Sequence, residues 1–96
     1  MIQSFADSPT ADLFQDLNTR AARRIPRGLW RVVQRKLKLL DGAARPDDLM
    51  IPSGNRLERL KGGQSGRYSI RVNDQYRVTF RWESGSAYEV RVEDYH

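Results

Sequence analysis

An α+β fold is what the sequence predicts, with two N-terminal helices packed on one face of an antiparallel sheet. Three observations predict it. Apolar residues recur at three- and four-residue steps over the first 42 positions, the period falls to two in the second half, and turn residues cut that second half into short strands. At 96 residues the chain has the length of one domain, spanning 1–96, with one modest core and no room for a separate cofactor domain.

Ile2 to Phe5 reads as a short edge strand. Ser8-Pro9-Thr10-Ala11-Asp12 reads as a helix start with a hydroxyl cap, and Leu13, Phe14 and Leu17 continue it at helical spacing to about Arg24. Ile25-Pro26 breaks this helix, and proline is accepted in the first turn of the next. There Leu29, Trp30, Val33, Leu37 and Leu40 form one apolar stripe, Arg27, Arg31, Arg35, Lys36 and Lys38 fill most of the remainder, and Asp41-Gly42 ends the helix. Pro46 to Leu49 and Pro52 to Asn55 read as turn and loop. Apolar residues then alternate in 67–73, 76–82 and 87–93, which predicts three half-buried strands separated by Asn73-Asp74 and Ser84-Gly85.

Composition narrows the function. There is no cysteine, so disulfides and thiolate metal sites are excluded and the cytoplasm is the expected compartment. No apolar run reaches the roughly 20 residues of a membrane span, and the N-terminus has no basic segment leading into an apolar block, so neither membrane association nor a secretory signal is expected. The net charge is +5 and unevenly spread. Residues 1–19 hold Asp7, Asp12 and Asp16 and no base, whereas 20–45 hold nine bases against Asp41 alone. Such a block suits a polyanion, most simply nucleic acid; a solvated helix face is the plainer reading.

The strand pattern goes further. Tyr68, Ile70 and Val72 and then Tyr76, Val78, Phe80 and Trp82 must all face the core, and a one-residue slip would flip every side chain. A three-residue loop, Asn73-Asp74-Gln75, meets this demand. It sets Ile70 opposite Val78 and, on the other face, Arg71 opposite Arg77 and Arg67 opposite Arg81. Like charges placed directly opposite destabilise a strand pair, so two such pairs point to an anion across that face, and arginine's planar fork suits phosphate. The alternative is neutralisation by neighbouring acids such as Glu89 and Glu93. The pattern leaves the register of the last hairpin, and so the place of Arg91, open.

Two further features carry chemistry. The chain closes on Asp94-Tyr95-His96, whose only histidine is suited to proton transfer near neutrality. Lys61 precedes the pair Gly62-Gly63, where a point charge can meet a phosphate or a 2′-oxygen, or simply end a strand.

The strings Arg56-Leu57-Glu58-Arg59-Leu60-Lys61-Gly62 and Tyr68 to Trp82, with the closing Tyr88 to His96, resemble the HigB branch of the RelE superfamily of toxins. The likeness runs over essentially the whole chain. It implies a microbial-ribonuclease-like sheet with helices on one side, and a metal-free endoribonuclease that enters the ribosomal A site and cuts the mRNA through attack of the RNA's own 2′-oxygen. It also implies a HigA-type helix-turn-helix antitoxin and the 70S ribosome as partners, with DNA reached only through the antitoxin complex. Under that resemblance Lys61, Arg71 and Arg77 stabilise the phosphate charge, His96 transfers the proton, Tyr95 assists it or stacks on a base, and Asp94 orients or neutralises them. Arg67 and Arg81 on the sheet and Arg27, Arg31 and Arg35 on the helix contact RNA. Members of this branch often carry a histidine three residues before the lysine matching Lys61; here that position is Glu58, which leaves the base open among Glu58, Lys61, Tyr95 and His96. Competing readings are a basic RNA- or ribosome-binding module without catalysis, a subunit acting only within a complex, and a gyrase-targeting toxin of the same fold. A helix-turn-helix repressor fits poorly, because the C-terminal half alternates like sheet.

Overall fold

Asp7 opens the first helix. Its carboxylate accepts the Thr10 backbone N–H at 3.0 Å, satisfying one of the donors a helix start leaves unpaired, and α1 runs Ser8–Phe14. The cap is this carboxylate, where the sequence pointed to a hydroxyl. The computed structural model describes residues 1–61 and 66–94. After α1 come a 3-10 turn at Ala22–Arg24, a second at Arg27–Leu29, and α2 at Trp30–Gly42. Two more 3-10 turns, Pro46–Met50 and Ser53–Asn55, lead to β1 (Glu58–Arg59), β2 (Arg67–Arg71), β3 (Tyr76–Glu83) and β4 (Ser86–Asp94).

The first helix is shorter than its apolar spacing suggested. Asp16 takes a left-handed φ of 59°, and the Leu17 N–H returns to the Asp12 carbonyl at 2.9 Å. Thr19 Oγ1 donates to Asp12 at 2.7 Å and accepts the Ala22 N–H at 3.0 Å. Asp, Asn and Thr side chains compete with the helix for backbone partners in this way, so 15–21 becomes a turn and Leu17 is left exposed.

The sheet is an antiparallel meander in the order β1-β2-β3-β4. The N-terminal segment joins it through parallel bridges of Ile2 with Ala87 and Phe5 with Val90, as the edge-strand reading of Ile2–Phe5 expects. Asp41 near the end of α2 accepts the Ile2 N–H at 2.8 Å, tying helix to edge. β1 is the strand that periodicity did not reveal, since two residues are too few to alternate. The β3–β4 turn is Ser84-Gly85, both at positive φ (49° and 81°), the conformation that matches the twist of a two-residue hairpin. In the β2–β3 turn, Asn73 Oδ1 accepts the N–H groups of Gln75 and Tyr76 at 2.9 and 2.7 Å.

Leu13 of α1 and Val33, Leu37 and Leu40 of α2 are fully buried against Ile70, Val78, Phe80, Ala87 and Val90 of the sheet. A polar link crosses this layer: Thr10 Oγ1 accepts the Val92 N–H at 2.9 Å. The helices therefore cover one face of the sheet and leave the other to the arginines. No helix among the described residues is long and apolar enough to cross a membrane.

Candidate active site on the arginine face

The register of β2 and β3 pairs Arg67 with Arg81, Ser69 with Thr79, and Arg71 with Arg77. These residues alternate with the core side chains Tyr68, Ile70, Val78 and Phe80, so all six belong to the face turned away from the helices. The flanking strands lengthen the rows: Glu58 lies beside Ser69, Arg91 beside Thr79, and Glu93 beside Arg77. Ser69 and Thr79 are fully buried, and their hydroxyl oxygens have no hydrogen-bond partner among the described residues. Two small hydroxyls thus floor the centre of the face, with an arginine rung on either side.

The rungs differ in their counter-charges. Arg81 donates from Nε to Glu89 at 2.8 Å and from Nη1 to Glu83 at 2.7 Å, and Arg67 lies 3.7 Å from the same Glu89 carboxylate. The hydrogen bond from Arg81 holds the Glu89 carboxyl below its ordinary range, while Glu89 and then Glu83 raise the arginine. A β-bulge makes this possible: the β3–β4 register shifts between Thr79 and Arg81, and Glu89 sits at a left-handed φ of 53°. The extra residue lets Tyr88 and Glu89 both reach Arg81, whose guanidinium carbon lies 4.8 Å from the Tyr88 ring centroid. The Arg67–Arg81 end is therefore neutralised internally, by Glu89 and Glu83. Glu93, the other acid considered for that role, is instead 3.6 Å from Arg91.

At the opposite end Arg71 pairs with Asp74, whose side chain is 98% exposed on the hairpin loop. Arg77 donates from Nη1 to the Asn73 carbonyl at 2.7 Å and to the Tyr76 carbonyl at 3.2 Å. These backbone carbonyls orient Arg77.

Asp94 ends β4 opposite Tyr76, so alternation assigns it to the helix side, and it accepts from Gln75 Nε2 at 3.0 Å. Glu93 is the terminal acid that shares the face with Arg77. Tyr95 and His96 lie outside the described residues. Lys61 is exposed and follows β1 beyond the Arg67–Arg81 rung, so its backbone and that of Asp94 lie at opposite ends of the ladder. The sheet does not bring these two together at the backbone. Glu58 is exposed on the arginine face and in no ion pair among the described residues.

The basic helix supplies a second surface. Arg31, Arg35 and Lys38 are exposed, line a surface cleft with Gln34, and have no ion pair among the described residues. Arg27 instead rests on Trp30, 5.2 Å from its ring centroid. Lys36 donates to Asn55, which in turn donates to the Leu49 carbonyl at 3.1 Å. Partial burial, then the charges of Arg35 and Arg71, push the Lys36 amine below the usual lysine value. Sequence reasoning had no place for Tyr88, Glu83 or Arg91, and named Glu89 only as one possible counter-charge. The signal was the three-residue step from Ala87 to Val90, where strict alternation fails and a bulge is required.

A family profile described as the RelE-like toxin of the type II toxin–antitoxin system HigB matches residues 3–96. The chain belongs to the HigB-like toxins. It is 41% identical over 87 residues to Toxin HigB-1 of Vibrio cholerae serotype O1, covering 91% of this chain and 90% of that protein. It is 44% identical over 41 residues to Endoribonuclease HigB of Proteus vulgaris, covering 43% of this chain and 45% of that one. Among solved structures it is similar to a chain of the YoeB–YefM complex from Staphylococcus aureus, with a TM-score of 0.61 at 14% identity, covering 100% of this chain and 98% of that chain. At that identity the likeness concerns the fold, and it agrees with the α+β layering described above. The fold expected of a RelE-like toxin is thus the fold observed.

Proposed function

We propose that this HigB-like toxin is a metal-independent endoribonuclease that cuts mRNA in the ribosomal A site and so blocks translation. The observation that carries the reading is the Arg71–Arg77 rung, a cross-strand arginine pair on the sheet face turned away from the helices, at the end where β4 finishes at Asp94. Cleavage through the 2′-oxygen needs a proton acceptor at that hydroxyl, charge stabilisation at the crowded phosphate, and a proton donor for the departing 5′-oxygen. Arg71 and Arg77 hold the phosphate, His96 moves the proton, and Tyr95 assists it. Lys61, at the other end of the ladder, supplies charge to the neighbouring backbone. Arg31 and Arg35, with Arg27 beside them, grip ribosomal RNA. The Proteus vulgaris relative is called an endoribonuclease, which supports this chemistry. A HigA-type helix-turn-helix antitoxin restrains the enzyme, and any contact with DNA runs through that partner.

The test is toeprinting of a defined mRNA on programmed 70S ribosomes, with the wild type and with a His96→Ala, Lys61→Ala double variant. A new 5′ end within the A-site codon, made by the wild type and lost in the variant, is the expected result. Glu58 on the arginine face favours one rival, a binder without catalysis, because a carboxylate there repels phosphate. Ribosome binding without a cut by the wild type selects that rival.

A further inference from the structure

Two of the five N–H donors of Arg81 are committed to carboxylates. Its Nε and Nη1 edges are filled by Glu89 and Glu83, at 2.8 and 2.7 Å, and these two carboxylates offset its charge. The guanidinium also presents a plane. One side of the guanidinium lies over the Tyr88 ring at 4.8 Å, and the side chain is still 34% exposed. Planar guanidinium and phenol groups held rigidly on strands are surfaces on which unstacked bases settle. The carboxylates fix that plane from its edges, so no rotamer freedom is lost when a base arrives, and at the same time they discourage a phosphate from taking the place.

Resting on the ribonuclease reading above, we infer that Tyr88 and Arg81 form a nucleobase-stacking site for single-stranded RNA, distinct from the phosphate-holding rung. Arg77 and Arg81 are four residues apart on β3, a rise of about 13 Å at roughly 3.3 Å per residue. The base seated on Tyr88 and Arg81 therefore belongs to a nucleotide flanking the cut, not to the one whose phosphate Arg71 and Arg77 hold. The bulge at Glu89 exists in register with this task, because without the added residue Tyr88 and Glu89 would face opposite sides of the sheet and only one of them would reach Arg81.

The experiment compares two ligands of equal length and charge, a single-stranded RNA oligomer and an abasic ribose-phosphate chain, by fluorescence anisotropy at fixed salt. Base–aromatic stacking contributes a factor of roughly 5 to 150 per base. Wild type is expected to bind the oligomer about tenfold more tightly than the abasic chain. Tyr88→Leu removes that preference and keeps the affinity for the abasic chain, whereas Tyr88→Phe, which retains the ring, keeps the preference. Melting temperatures of both variants guard against a folding defect. Equal loss on both ligands, an unchanged preference in Tyr88→Leu, or no binding of either ligand by wild type overturns the stacking site. The ribonuclease reading is judged separately by toeprinting: a cut without a base preference removes only the stacking site, and a base preference without a cut removes only the nuclease.

Discussion

Glu89 holds a conformation that glutamate seldom adopts, with φ at 53°, where an L side chain meets its own backbone. The residue is kept there by what it reaches: its carboxylate accepts from Arg81, its backbone N–H donates to Ser4 Oγ at 2.9 Å, and Val90 beside it is buried. The Arg81 hydrogen bond lowers the Glu89 pKa in the folded state. The unfolded chain therefore binds more protons between the folded value and the ordinary value near 4.3, and stability rises with pH across that window. The pairing contribution is present in full above the unfolded pKa and is lost as pH falls through the folded one. Urea midpoints measured from pH 6 down to pH 3 should decline for the wild type, and Glu89→Gln should flatten that decline. A parallel decline in the variant would assign the acid sensitivity elsewhere.

At the scale of elements, small polar groups decide where helices begin and end. Asp7 caps α1, and Asp12, Asp16 and Thr19 stop it within seven residues of its start. Replacing Asp7 with Ala should cost about 1 kcal/mol, or roughly 4–8 °C in melting temperature for a domain of this size. Ser8→Ala should leave the melting temperature within about 1 °C, since surface substitutions without a cap or core role change little. Calorimetry of the two variants separates a carboxylate cap from a hydroxyl cap. Thr10 binds α1 to β4 through Val92. Thr10→Val keeps the volume but strands the Val92 N–H in a buried layer, and should cost about 1–3 kcal/mol in urea denaturation.

For the whole molecule, charge is distributed by layer. Arg31, Arg35 and Lys38 of α2 are exposed without an ion pair among the described residues, while the Arg67–Arg81 end of the sheet carries its own acids. Binding that rests on the cationic surface should weaken linearly in log Kd with log salt, by a slope of about 0.7 per neutralised phosphate on single strands. Arg31→Ala with Arg35→Ala should lower that slope by about one to two, whereas Arg67→Ala should barely change it. Equal slopes for both variants would place the RNA backbone across the neutralised end after all.

By itself the sequence determined the order of elements, the stripe of Val33, Leu37 and Leu40, and the pairing of Arg71 with Arg77 and Arg67 with Arg81. Each follows from local periodicity, and register is dictated once one face of a hairpin must be buried. The early end of α1 was written in Asp16, Asn18 and Thr19, but apolar spacing alone masks such turn formers. Only the tertiary structure decided which arginines meet carboxylates. Whether Glu89 reaches Arg81 depends on a bulge between two strands, and whether Asp94 or Glu93 shares the face with Arg77 depends on the register beyond it. Those are cross-strand relations, set by how a whole sheet packs on its core, and residues close in space there are distant in the chain.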